Sequence, residues 1–399
     1  MRALHLLEPP APGAAWAPFA GVRPIAELRA GRWRIRERWE RALGVRATSI
    51  VGNHCAGFRE DNEPPCTARP VPGPAIVAAS WFAPAAPAGG KPLDLAPDTR
   101  RLEHAGTTIG WVVPAGEEFA PSAAFAASRE PAPAPAASVD GLLLAGTHSL
   151  LDALDRFLGE DCADAADRAD SLPPGAVVFG DPAQIRVSAA AIEPGVVFDV
   201  RHGAVVVETG AEVRHGARLE GPLWIGPGSR VLGGEIGGSA IGPDCRVRGE
   251  IKTSTFLGYA NKSHDGFVGD SVVGRWVNLG AGTTTSNLKN TYGPVRLEVA
   301  GQLIETARLN VGSFFGDHAK TAIGTMLATG TVVSAGANVF GAAGVPRFVA
   351  PFAWGLGGER MTEEGFLRTA ERVMARRAVA MTPERRVSLQ ETYARMVGL

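Results

Sequence analysis

Between Val207 and Val231 an aliphatic residue returns every six positions, at Val207, Val213, Leu219, Ile225 and Val231. Gly210, Gly216, Gly228 and Gly234 each follow one of these by three residues, and Pro222 stands where one more glycine is expected. The register slips by one at Ile236 and Ile241, and Val247 resumes the step. A second phase runs Val311, Asp317, Ile323, Thr329 and Ala335, with Gly312, Gly324, Gly330 and Gly336 one residue behind four of those positions. A period of six fits neither the 3.6 of a helix nor the 2 of a long alternating strand. It fits a parallel β-solenoid in which each hexad is one short strand and a turn. The aliphatic side chain then points to the coil axis and glycine lets the chain turn the corner. Turns of such a coil touch only their neighbours, so stability accumulates along one axis. An irregular glycine-rich antiparallel sheet would not keep a six-step for so long.

The text on either side of the repeat differs. Residues 1–128 read as mixed α/β, with strands at Ala3–Leu7, Ala47–Val51, Ala75–Phe82 and Thr107–Val113 and a helix over Ile25–Leu43. A Pro/Ala-rich stretch, Arg129–Ser138, reads as a linker or exposed loop. In Ser149–Asp170 the residues Leu150, Leu151, Leu154 and Leu158 fall at helical spacing. After Trp354 two further helices are expected, each opened by a threonine, the second with Pro383 at its first position. They would cap the open end of the solenoid. The resulting division is 1–138, 139–170 as a linking helix, 171–355 as the solenoid and 356–399 as a helical cap.

Composition narrows the function classes. At 399 residues, two or three domains are expected. A formal net charge of -1 gives no sign of a nucleic-acid or membrane-surface partner, and no apolar run reaches bilayer length. The apolar run in MRALHLLEPPAPG is too short for a secretory signal. Cys55, Cys66, Cys162 and Cys245 are scattered without metal-ligand spacing, so no metal site and reduced, cytoplasmic thiols are expected. The chain has 40 Lys plus Arg but only five lysines, and Lys252, Lys262, Lys289 and Lys320 lie in roughly a sixth of the chain. Asn261, Asn278, Asn287, Asn290 and Asn310 crowd the same window, with only three asparagines elsewhere. A lysine kept where the chain otherwise uses arginine points to a need for a compact ammonium.

Four segments carry a family resemblance: VRPIAELRAGRWRIRERWE (Val22–Glu40), GEIKTSTFLGYANKSHDGFVGD (Gly249–Asp270), WVNLGAGTTTSNLKNTYGPV (Trp276–Val295) and GDHAKTAIGTMLATGTVVSAGANVFG (Gly316–Gly341). In these the chain resembles the bifunctional N-acetylglucosamine-1-phosphate uridylyltransferase/glucosamine-1-phosphate acetyltransferase family (GlmU). It is more closely similar to the GlmU-like sugar nucleotidyltransferases. The resemblance implies an α/β nucleotidyltransferase-like N-terminal domain followed by a left-handed parallel β-helix of hexapeptide repeats with C-terminal helices, assembled as a homotrimer.

The resemblance also assigns roles. Acyl transfer from a thioester needs a base for the nucleophile's proton and donors for the oxyanion. His264 falls where the family has its base histidine, with Asp265 beside it to orient the ring. Lys252 falls at a sugar-phosphate lysine, Asn278 and Ala281 where the family binds amino sugar and coenzyme A, and Asn287 at an asparagine of the substrate-binding loop. Phe267 stands where the family has a substrate-contacting tyrosine, and Gly293 replaces an expected lysine, with Lys289 nearby as a candidate substitute. The family's arginine upstream of Lys252 has no counterpart in GSRVLGGEIGG. Ser286–Asn310 breaks the hexads and is expected to reach toward a neighbouring subunit, with His318 and Lys320 lining the same cleft. Acetyl-CoA or another acyl-CoA is the implied co-substrate, and a sugar phosphate or nucleotide sugar the implied partner.

Nucleotidyl transfer needs a glycine-rich phosphate loop and carboxylates for Mg²⁺. After the first strand the chain reads EPPAPGAAWAPFAGVRP, whose prolines lack the N–H groups such a loop supplies. Arg23 and Arg29 are candidate phosphate contacts, and Asp61 and Asp140 the carboxylates to test; Mg²⁺ is expected only if this domain is active. Three readings follow. The leading one is CoA-dependent acyl transfer to a phosphorylated or nucleotide-linked sugar at an inter-subunit cleft. The others are a sugar-1-phosphate nucleotidyltransferase that trimerises through its β-helix, and a non-catalytic trimeric sugar- or nucleotide-binding scaffold.

Overall fold

The computed structural model describes residues 2–60, 63–121, 134–165, 172–341 and 344–398. The N-terminal domain is built on a seven-stranded mixed sheet in the order Ala136–Ser138, Arg101–His104, Thr107–Val113, Ala75–Ala79, Ala3–Leu7, Ala47–Val51, Cys66–Thr67. Ala3–Leu7 pairs in parallel with both its neighbours, and Thr107–Val113 runs antiparallel to Ala75–Ala79. ALHLL and AIVAA read as nearly unbroken apolar runs because layers cover both sides of these central strands.

The helix expected over Ile25–Leu43 is shorter. A 3-10 turn at Ile25–Glu27 is followed by a two-stranded hairpin, Arg29–Ala30 with Trp33–Arg34, and only then by helix α1, Ile35–Leu43. Gly31 turns this hairpin at φ 71°, where its α-hydrogen faces the Asp161 carboxylate and the Arg38 guanidinium, so the chain cannot run straight through as a helix. Glu37 starts α1 by accepting the Arg34 N–H (2.8 Å), and Gly44 ends it in the left-handed region.

Residues 177–349 form a parallel solenoid with three faces. Among the described residues the second face contains nine strands and the third eight. This three-faced coil is consistent with a left-handed β-helix. Val207, Val213, Leu219, Ile225, Val231, Ile236, Ile241 and Val247 all point into its axis, as the six-step requires. The second phase does not mark the axis. There the inward residues are Phe315, Thr321, Leu327, Val333 and Val339, while Asp317, Ile323, Thr329 and Ala335 sit at corners and Ile323 is 79% exposed. Glycine follows these residues because it takes the second corner position, with φ 69° at Gly324 and 74° at Gly330.

The outward row of the second face is also apolar: Val206, Trp224, Ala240, Val272, Phe314 and Val332 are buried. Helix α2, Ser149–Ala163, covers its first part. Leu154, Leu158 and Cys162 pack on Val206, Trp224 and Ala240, while Leu150, Leu151 and Phe157 join the N-terminal core. Val272, Phe314 and Val332 belong to that same N-terminal core, so one hydrophobic cluster spans both domains.

The Ser286–Asn310 break is an antiparallel hairpin, Arg296–Val299 with Gln302–Glu305. It folds back onto its own chain instead of reaching outward, because Val295, Leu297 and Val299 bury into the inter-domain core. Arg308 anchors it to Asp152 (2.7 Å) and Asp155 (3.0 Å) of α2. Helices α3 (Glu363–Ala375) and α4 (Pro383–Val397) start at Thr362 and Thr382, whose hydroxyls accept N–H groups of the first turn. They pack beside Phe352 and Ala335 and against Val22 of the N-terminal domain.

Candidate functional site

His264 lies in the turn Ser263–Gly266, between the third-face strand Asn261–Lys262 and the first-face strand Phe267–Gly269. Successive turns stack here. The Asp265 carbonyl accepts the Gly282 N–H (3.0 Å), and the Ala281 carbonyl accepts the Gly324 N–H (2.7 Å), so Ala281 sits one coil along from His264. Gly266 is required at this corner: at φ 128°, a Cβ would lie 2.3 Å from the Thr283 carbonyl oxygen. On the third face Asn261 donates to the Asn278 side-chain oxygen (2.8 Å) and Ser263 donates to that of Asn261 (2.6 Å). The corner thus brings His264, Ala281 and Asn278 together. The His264 imidazole is exposed and makes no hydrogen bond among the described residues. Asp265 does not orient it: its carboxylate faces Arg248 (3.0 Å), whose hydrogen bond holds it below the usual carboxylate range.

The first face leads away from this corner. Lys252 is in register with Gly269, one coil before it. It lies in an open cleft of about 240 Å³ lined by Asp199, Arg201, Arg218, Glu220 and Thr253. Its ammonium pairs with Glu220 (2.6 Å) and Glu235. Partial burial works against the charge, but these two carboxylates outweigh it and raise the pKa above the ordinary lysine value. Arg201 and Arg218 were not legible as site residues. They come from separate turns of the coil and converge on Asp199, which is pulled far below its usual range by the Arg201 hydrogen bond. The cleft therefore holds three cations, each already poised by a carboxylate that an incoming anion would displace.

Phe267 lies flat across this face over Gly269, where an added Cβ would meet its ring at 2.3 Å. Asn287 donates to Asp270 (2.6 Å) at the far edge of the same face. Lys289 stands apart from them. It donates to the Pro294 carbonyl (2.6 Å) and lines a separate hollow of about 220 Å³ with Arg296, Glu298, Leu303 and Arg347.

His318 is not part of this cleft. It is buried between Trp276, on which it stacks, and Phe366 of α3, which meets it edge-on. Burial, with Lys320 next in effect, pushes its pKa down to about 3, so it is a neutral packing residue. Lys320 donates to the His318 carbonyl (2.8 Å) and is in register with Asn278 on the third face.

In the N-terminal domain the expected phosphate contacts serve other ends. Arg23 pairs with Glu60 (2.6 Å) and with Asp317 of the solenoid (2.8 Å). Arg29 lies over the Trp224 ring (4.4 Å), and burial lowers its pKa to about 10. Ligands of open α/β sheets sit beyond the carboxyl ends of the strands, where the strand order changes direction. Here Glu8 fills that place, directly after Leu7. Its carboxylate accepts the Ile25 N–H (2.7 Å) and the Ala26 N–H (3.0 Å) and bonds His54 Nε2 (2.9 Å). Gly52 packs so closely that a Cβ there would lie 2.5 Å from Glu8 Cβ.

Glu8, His54 and Cys55 place ligand atoms within 4.8 Å of one another. The carboxylate is spent on those three hydrogen bonds, and Asp140 is exposed beside Arg156 (3.5 Å). Asp61 lies outside the described residues. These groups do not fit a Mg²⁺ site. No helix among the described residues is long and apolar enough to cross a membrane.

The fold defines an architecture: an α/β domain on a mixed sheet joined to a parallel β-helix of hexapeptide repeats. Residues 6–165 match the model of the sugar nucleotidyl transferase family. The chain is similar to the bifunctional sugar-1-phosphate nucleotidylyltransferase/acetyltransferase of Sulfurisphaera tokodaii, 35% identical over 100 residues, which is 25% of each chain. It is 38% identical over 105 residues to the bifunctional protein GlmU of Jannaschia sp. (25% of this chain, 22% of the relative). With that of Methanococcus vannielii it shares 36% over 84 residues (21% and 20%). Residues 6–165 are thus similar to the sugar nucleotidyl transferase family and parts of the chain to GlmU proteins, and the chain spans about a quarter or less of the length of the curated relatives it matches.

Proposed function

We propose that the protein transfers an acyl group from an acyl-CoA, acetyl-CoA in the first instance, to a phosphorylated or nucleotide-linked sugar. The observation that carries this reading is the position of His264. It is a free, exposed imidazole at the edge of a face whose cleft holds Lys252, Arg201 and Arg218. In this reading the three cations bind the acceptor's phosphate and Asn278 orients its sugar. His264 takes the proton of the attacking amine or hydroxyl as it adds to the thioester carbonyl, and the thiol leaves as the tetrahedral intermediate collapses. Phe267 offers the acceptor an apolar ring where a tyrosine would offer a hydroxyl, so an acceptor lacking that hydrogen bond is favoured. A site on an open corner is completed by a second surface, and a homotrimer supplies one; such an assembly working in the cytoplasm fits a sugar-nucleotide pathway.

The match of residues 6–165 to sugar nucleotidyl transferases favours a second reading, nucleotidyl transfer. The Glu8 carboxylate in the switch-point crevice weighs against it. A thiol-release assay with acetyl-CoA and a panel of amino-sugar phosphates, run beside a pyrophosphate-release assay with nucleoside triphosphates, separates the two. Thiol release that depends on the sugar supports the first reading. Pyrophosphate without thiol supports the second, and silence in both leaves a binding scaffold.

A further inference from the structure

One lysine of the clustered four points the wrong way for a surface cation. Lys262 is in register with Val247, at the inward position that Val213, Val231, Leu279 and Val339 fill on other turns. It is fully buried within the coil. A valine or leucine there would be cheaper, because burying an ammonium sacrifices its hydration. Burial drives its pKa down to about 8, with the Asp265 carboxylate only partly opposing. The ammonium's hydrogen bonds all go to backbone. Nζ donates to the carbonyl of His264, to that of Asp265 (3.0 Å) and to that of Arg248 (3.5 Å). Two of these three acceptors belong to the turn that presents the exposed imidazole.

We propose that Lys262 is a positioning residue for His264, its ammonium drawing the His264 and Asp265 carbonyls inward and so fixing the direction in which the imidazole leaves the corner. The geometry stands by itself; its catalytic consequence rests on the acyl-transfer reading. No described side chain holds the ring from outside, and Asp265 is turned to Arg248, so the backbone of the turn is what sets the ring's aim. A group held by its backbone is placed only as well as that backbone is held. Lysine suits this task where arginine would not, because its three donors sit on one compact centre within reach of three converging carbonyls.

Lys262→Met keeps the length and apolar stem and removes the donors, and Lys262→Gln restores part of them should the first variant misfold. Amide hydrogen exchange of the full-length protein reads the brace without reference to activity. Loss of these bonds speeds exchange across residues 261–266 about 10-fold in Lys262→Met, less in Lys262→Gln, while Val205–Val231 exchanges as in the wild type. In thiol release kcat falls about 10- to 100-fold with both KM values unchanged, the mark of a displaced base and not of a lost binding contact. Exchange in the turn that matches the wild type, acceleration spread evenly along the coil, or an unchanged kcat would each overturn the proposal. If the wild type itself releases no thiol, the acyl-transfer reading has failed, and the exchange comparison alone decides whether Lys262 braces the turn.

Discussion

At the scale of single residues the first-face cleft and the buried histidine make separate predictions. Lys252 is one of the three cations of that cleft, and replacing it with Met removes one charge-assisted contact to an anionic acceptor. Such contacts contribute about 1.5–3 kcal/mol, so KM for a phosphorylated acceptor rises at least 10-fold, while that for the unphosphorylated sugar stays as it was. Steady-state kinetics on the pair of acceptors checks this. His318 makes a pH prediction. Its folded pKa of about 3 lies below the ordinary 6.5, so the unfolded chain binds the proton first as pH falls. Its share of stability is present above pH 6.5 and is lost between there and about 3, at up to ~1.4 kcal/mol per pH unit. Lys320, Arg23 and Arg275 face it with like charge and Glu60 with opposite charge. His318→Phe keeps the stack on Trp276 and flattens that part of the acid limb in urea unfolding from pH 7 to 4; an unchanged limb would show that His318 is not buried neutral. Histidine type alone did not separate His264 from His318. The sequence places both at solenoid turns, and only the third-dimension contacts with Trp276 and Phe366 make one a packing residue.

At the scale of elements, the buried arginines of Val22–Glu40 act as a clamp. Arg38 and the Arg32 backbone N–H both bond the Asp161 carboxylate near the end of α2, and Arg32 also pairs with Glu208 on the solenoid. Removing one member of a buried pair leaves an uncompensated charge, so Asp161→Ala destabilises by about 3–5 kcal/mol. Chemical denaturation measures this; a change below 1 kcal/mol would mean the cluster is hydrated. This function was illegible beforehand because Asp161 and Glu208, the carboxylates that Arg32 and Arg38 meet, lie more than 100 residues away, and local spacing makes such a row look like a solvated helix face. The strands at Ala3–Leu7, Ala47–Val51 and Thr107–Val113 were legible to the residue, since buried runs and alternation are local signals. The first hexad phase was legible for the same reason. The second phase picks out the residue just before each glycine, which is a corner position; the inward residue stands three before the glycine there too, at Thr321, Leu327 and Val333. The hairpin's own direction was hidden in the alternation of Leu297 and Val299, which needs an apolar surface that only the N-terminal domain provides.

At the scale of the molecule, one hydrophobic cluster joins the two domains, so they unfold together. Trp224→Ala removes an outward residue of the second face without touching the coil axis and costs about 3–5 kcal/mol. Calorimetry should still record one transition, at lower temperature; two separated transitions would mean that the domains are independent. The shared core also explains what is left for function. The second face is covered by the N-terminal domain and α2, and the turns around His318 are covered by α3. The first face and the corner of His264 stay open. The account therefore stands or falls on that corner. The most direct measurement is thiol release from acetyl-CoA by the His264→Ala variant at saturating acceptor. The account predicts kcat lower by about 10²- to 10⁴-fold with the coil intact. Turnover within a few-fold of the wild type would contradict it.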